Sequence, residues 1–167
     1  MQHEARLNNC NNGMKWALTA YLFLASLGFG VAALMSQLHY GLDHQKTIVH
    51  YLGNEAQGGM EMAKLYAQLL QTAHVHSFTM PLVFLSLWVA LAFTPTSSAF
   101  KKLLIAGGAL SVLFYNAAPF LVRFHSPDWV FLFTVGGVGL FLFFFLPAAL
   151  VLYEIWWGLK DRATSRP

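Results

Sequence analysis

The sequence predicts an all-α membrane protein, a bundle of four transmembrane helices. Of its 167 residues, 57% are hydrophobic and only 10% are charged, whereas ordinary soluble domains have roughly 25% charged residues. Four apolar stretches each reach about 20 residues or more, the length that crosses a bilayer. They occupy most of the chain, so we expect a single integral membrane domain over residues 1–167, surrounded by lipid.

The first helix is predicted over residues 14–39. Its apolar run from Trp16 to Leu38 is longer than the core of a signal peptide, about 7 to 15 residues, so we expect it to remain in the protein. A polar connection follows, in which the pairs Gly53-Asn54 and Gly58-Gly59 favour turns.

The second helix is predicted over residues 60–94. Its first part is amphipathic, because Met62, Leu65, Leu69 and Ala73 recur at steps of three or four residues. We expect the segment from Met60 to Ala73 to project above the membrane and to dock a partner. The alternative is a helix that lies flat among the lipid head groups.

The third and fourth helices are predicted over residues 99–124 and 128–159. Proline-containing turns precede both of them. The run from Gly136 to Gly139 supplies small residues that allow helices to approach closely. Glu154 lies near the end of the fourth helix, where we expect it to reach the interface or to pair with a basic neighbour.

The basic residues predict the orientation in the membrane. One side of the predicted bundle carries Arg6, Lys15, Lys101, Lys102, Lys160, Arg162 and Arg166. The other side carries Lys46, Lys64 and Arg123. Because basic residues accumulate on the cytoplasmic side, we expect both termini in the cytoplasm, an N-in/C-in arrangement.

Histidines are concentrated on the outer side of this arrangement. Four of them share one depth at the ends of three helices: His39, His74, His76 and His125. Haem iron in a helix bundle takes imidazoles from two helices. We therefore predict b-type haem near the outer face, with Arg123 near an anionic group of the haem. The alternative is that histidine is tolerated at an interface because its polar tip stays hydrated.

The same region contains a possible copper site. Met35 precedes His39 by four residues, and Met80 follows His76 by four. Each pair therefore shares one helix face, and two histidines with two methionines suit Cu(I). The alternative is that both methionines fill core space or face lipid.

Several other functions are excluded by what the sequence lacks. Cys10 is the one cysteine, so no disulfide can form within the chain. There is no GxSxG, HExxH or P-loop motif, and no basic stripe that would favour nucleic-acid binding.

The stretch from Tyr51 to Glu55, followed by Leu69 and by the segment from Thr72 to Pro81, resembles a pattern in small bacterial inner-membrane proteins with four predicted helices. In that group an H-x-H motif starts the second helix, here His74 and His76, and it looks like a haem or metal ligand motif. The group is considered alongside respiratory c-type cytochromes. The resemblance implies a bacterial inner membrane and a histidine site.

Together these observations predict a membrane electron-transfer subunit that holds haem b near the periplasmic face. Its partners would be other membrane subunits of a larger respiratory-type complex, or a periplasmic cytochrome. Two alternatives stay open at this stage: a copper or other transition-metal site, and an accessory subunit with no cofactor.

Overall fold

The structure, a computed structural model, describes residues 6–39 and 43–158. This part of the chain is helical and contains no strand. Its α-helices are α1 (Asn12–His39), α2 (His44–Leu52), α3 (Tyr66–Ala92), α4 (Ser98–Phe124) and α5 (Phe131–Trp156). All but α2 are long and apolar enough to cross a membrane. The predicted four-helix membrane fold is confirmed.

The short helix α2 was not predicted, and it lies within the polar connection. Asp43 begins it by accepting hydrogen bonds from the backbone N–H groups of Gln45 and Lys46, which satisfies donors that have no partner inside the helix. Its buried Tyr51 stacks on Phe133 of α5, with ring centroids 5.1 Å apart. This contact attaches α2 to one end of the bundle, which we call the α2 end.

Helix α3 begins at Tyr66, later than the predicted residue 60. The residues before it form backbone hydrogen bonds with the end of α2 instead. Asn54 N–H donates to the Glu61 carbonyl at 2.9 Å, and Lys64 N–H donates to the Tyr51 carbonyl at 3.1 Å. The amphipathic helix predicted from Met60 is therefore helical only from Tyr66 onward.

The centre of the bundle is formed by α3, α4 and α5. Fully buried side chains there include Phe84, Leu104 and Phe144. Gly136 explains how closely α4 and α5 approach, because a Cβ at that position would lie 2.8 Å from the backbone nitrogen of Tyr115. The predicted role of the small residues in close helix packing is confirmed at this position.

Helix α1 lies against the side of this centre. Leu22 is its one buried residue. Its contacts with the other helices include a hydrogen bond from the Tyr21 hydroxyl to the Val83 carbonyl at 2.8 Å, the stacking of Phe29 on Phe144 at 4.3 Å, and a hydrogen bond from Trp156 Nε1 to Thr19 Oγ1 at 3.2 Å. This sparse packing leaves a cleft between α1 and α5, described below.

The end opposite α2 contains an ion pair. Arg6 donates to the fully buried carboxylate of Glu154 from Nε at 3.0 Å and from Nη2 at 3.3 Å. The predicted pairing of Glu154 with a basic residue is confirmed. The pair attaches the residues before α1 to the last turns of α5.

Candidate functional site

Two histidines meet at the α2 end, one from α1 and one from α2. The ring centroids of His39 and His50 lie 6.1 Å apart, with the rings at 78° to each other. His39 Nδ1 lies 2.8 Å from the carbonyl oxygen of Met35. Since a carbonyl only accepts, Nδ1 carries the proton and Nε2 keeps its lone pair. His39 can therefore offer Nε2 as a ligand atom.

The electrostatic surroundings of His50 favour its neutral form. Burial is the largest cause that lowers the pKa of His50, and the charge of Lys64 and the proximity of His39 lower it further, while Glu61 acts in the opposite direction. A neutral imidazole is the form that binds a metal. The pair therefore combines a histidine of fixed tautomer with one whose pKa lies below the ordinary value.

A cleft of about 490 Å³ opens between α1 and α5, beside α2. Apolar side chains form most of its lining, including Phe29, Ala33 and Phe141. Its polar residues are Ser36, Gln37, His44, Thr47, Tyr115 and Thr134. The volume is within the range of small-molecule sites, about 300 to 1,000 Å³.

One hydrogen bond joins α2 to α5 beside this cleft. His44 Nε2 lies 3.0 Å from Thr134 Oγ1. Both residues line the cleft, and His44 is exposed while Thr134 is half-buried. The bond places an imidazole and a hydroxyl where a bound molecule can reach them.

The other three histidines predicted as haem ligands do not lie beside His39. The ring of His74 lies 5.2 Å from that of Phe78, and His125 Nδ1 accepts a hydrogen bond from Trp129 Nε1 at 3.2 Å. His76 is half-buried within α3. Over residues 6–39 and 43–158, no group of three or more His, Cys, Asp and Glu side chains is arranged to hold a metal ion. The structure thus brings His39 together with His50.

Three further predicted site residues have contacts inside the protein. Arg123 Nε donates to the Lys64 carbonyl at 3.0 Å, which fixes the segment before α3 against α4. The Asn116 amide donates to the sulfur of Met80 at 3.6 Å, and Met80 lines the cleft. Met35 is 54% exposed and supplies the carbonyl that orients His39.

A comparison with known protein families gives one match. Residues 41–163 match the Aq_1264_TM family, a transmembrane helical domain. The chain belongs to this family. No curated protein and no solved structure matches it.

Within the Aq_1264_TM match lie α2 to α5, and with them His44, His50 and Thr134. These three residues were not among the predicted ligands. The capping residue Asp43 and the turn at Gly53 are the sequence signals that bracket α2. These two signals could have predicted a helix between them. His44 and His50 would then have been assigned to that helix and not to a loop.

Proposed function

We propose that this membrane protein is an electron-transfer subunit in which His39 and His50 hold one copper ion at the α2 end. The observation that carries the proposal is the 6.1 Å separation of the two imidazole rings, contributed by different helices. That the chain is a membrane helical domain is shown by its four apolar helices and by its family.

The ring separation is compatible with one shared ion. Imidazole nitrogens bind transition metals at about 2.0 to 2.1 Å, which puts the centroids of two rings on one ion about 5 to 6 Å apart. The hydrogen bond from His39 Nδ1 to Met35 has the form that commonly orients a histidine ligand.

Copper is the metal that this donor pair favours. Imidazole suits copper, zinc, iron and nickel, and among divalent ions the affinity of a nitrogen site is highest for copper. Copper also changes oxidation state, as electron transfer requires. With two protein ligands, further positions on the ion are available to water or to a partner.

Haem is less compatible with the contacts observed. A porphyrin needs a flat slot between its two axial ligands, and the cleft between α1 and α5 is a cavity of about 490 Å³ beside α2. In the described part of the chain, none of the four histidines predicted as haem ligands lines that cleft. A second hollow runs along the first turns of α3, and of the four histidines only His74 lines it. Haem held by His39, His74, His76 and His125 is therefore an alternative outcome of the experiment below.

The proposed orientation puts the α2 end on the periplasmic side of a bacterial inner membrane, as the basic residues favour. There the copper would exchange electrons with a periplasmic cytochrome or with a larger respiratory-type complex. Met60 and Met62 support a docking role for the segment between α2 and α3, because they are 99% and 77% exposed.

The test measures metal content in protein purified in mild detergent, stripped with a chelator and then loaded with copper. We expect one copper per chain in the wild type and its loss in His39→Ala and His50→Ala. The matched controls His74→Ala and His125→Ala should keep the metal, as should Met80→Leu.

The same samples are examined by reduced-minus-oxidised absorption spectra before stripping. A haem spectrum that is lost in His74→Ala or His125→Ala would replace the copper proposal with haem held by the predicted histidines. Protein that holds neither copper nor haem after loading would contradict both, and would leave a cofactor-free accessory subunit.

A further inference from the structure

We infer that the cleft between α1 and α5 binds a quinone or quinol, with its ring at the polar end near α2 and its tail along the apolar walls. Nothing in this inference requires the copper site, because different residues line the cleft.

The walls of the cleft are suited to a hydrocarbon tail. Phe29, Ala32 and Ala33 contribute from α1, and Leu140 and Phe141 contribute from α5. Leu22 is the one buried residue of α1, so few of its side chains are packed tightly against the bundle beside the cleft. An apolar ligand can enter such a space sideways from the membrane, where its tail already lies.

The polar end supplies hydrogen-bonding groups for a ring carbonyl or hydroxyl. His44 Nε2 and Thr134 Oγ1 lie 3.0 Å apart there, and Gln37 adds an amide from α1. A hydroxyl and an imidazole each donate or accept. This set can therefore bind both the carbonyl of a quinone and the hydroxyl of a quinol.

The charge of the lining distinguishes a quinone from a phospholipid. Among the described residues that line the cleft, none is Lys, Arg, Asp or Glu. A phospholipid phosphate carries a negative charge, and burying it without a cation is costly. An uncharged head group has no such requirement.

Aromatic side chains lie beside the hydrogen-bonding pair. Phe133 directly precedes Thr134, and Tyr115 meets the Phe133 ring edge-on at 5.9 Å. Both residues line the cleft. Aromatic faces and edges contact other flat rings favourably, so this end matches a planar head group better than a branched polar one.

The experiment measures binding of decylubiquinone, a quinone with a short alkyl tail, to the full-length protein in detergent. Binding is followed by quenching of intrinsic fluorescence and by the shift in melting temperature. We expect saturable binding that is about five- to tenfold weaker in Thr134→Val and in His44→Leu, because each removes one hydrogen bond to the ring. Thr134→Val preserves side-chain shape, so the fold should be retained.

Two further arms separate quinone from lipid. His74→Gln, outside the cleft, should bind decylubiquinone as the wild type does, and excess dioleoylphosphatidylglycerol should displace it only weakly. Gly137→Leu, which narrows the cleft, should abolish binding while the melting temperature without ligand shows that the protein is folded. Equal displacement by the lipid, or unchanged affinity in both Thr134→Val and His44→Leu, would overturn the inference.

Discussion

Arg6 Nε lies 3.0 Å from Oε1 of Glu154, whose side chain is fully buried, and the two residues come from opposite ends of the chain. The pair therefore joins the residues before α1 to α5 at the end of the bundle opposite α2. Removal of one partner from a buried pair leaves the other charge uncompensated.

We predict that Glu154→Ala lowers the free energy of unfolding by about 3 to 5 kcal/mol. Arg6→Ala should also destabilise the protein, and the double variant should lose less than the sum of the two single changes. The measurement is thermal unfolding in detergent for all members of the cycle. Glu61→Gln, at an exposed position, is the control. Strict additivity would show that the two side chains act independently.

Replacement of glycine by alanine should lower the free energy of unfolding at a position on α5 and raise it at a position on α1. Gly136→Ala places a methyl group 2.8 Å from the backbone of Tyr115, so we expect a loss of about 1 to 3 kcal/mol. Gly30→Ala meets nothing within 4 Å and should stabilise α1 by up to about 1 kcal/mol. Melting temperatures of the two variants check this prediction. A stable Gly136→Ala protein would contradict the close approach of α4 and α5.

The pKa of His50 should lie below about 6.5, the ordinary value for histidine, in metal-free protein. Lys64→Gln should raise that pKa because it removes a cation, and Glu61→Gln should lower it because it removes an anion. Nuclear magnetic resonance titration of isotope-labelled histidines, assigned with His50→Gln, measures both shifts. Shifts of the opposite sign would contradict the position of His50.

The lowered pKa of His50 also determines how the free energy of unfolding changes with pH. Between about pH 6.5 and the lowered pKa, the unfolded chain binds a proton at His50 that the folded protein does not. The His50 contribution to the free energy of unfolding should therefore fall as the pH decreases through this interval. The His50→Gln variant should lack this component, and an identical pH dependence in both proteins would contradict it.

The orientation is tested with single cysteines in a Cys10→Ser background. Met60 is 99% exposed at the α2 end, and Ser98 is exposed at the opposite end. A membrane-impermeant thiol reagent should label Met60→Cys in intact cells, and Ser98→Cys only after permeabilisation. The reverse pattern would place the α2 end in the cytoplasm.

The fold was predictable because lipid restricts the choice of structure. A backbone in hydrocarbon must satisfy its own hydrogen bonds, so long apolar segments form helices. The starting point of α3 was not predictable from periodicity. The Asn54 N–H donates to the Glu61 carbonyl and the Lys64 N–H donates to the Tyr51 carbonyl, and a pattern of apolar residues does not reveal such pairing across the connection.

The candidate site was predictable only in part. The ends of the predicted helices determine how deep in the membrane a residue lies. On that basis we placed His39, His74 and His125 at the same depth. Depth does not fix the direction in which each helix faces its neighbours, and the structure gives His74 and His125 aromatic neighbours instead. His50 meets His39 because α2 folds back over the bundle, which depends on the contact between Tyr51 and Phe133.

The most direct test of the central proposal is X-ray absorption at the copper edge on copper-loaded, full-length protein. The proposal predicts scattering from two imidazole rings per copper in the wild type, with nitrogen at about 2.0 Å, and from fewer rings in His50→Ala. An unchanged imidazole count in His50→Ala, or a wild-type protein whose copper lacks imidazole ligands, would contradict it.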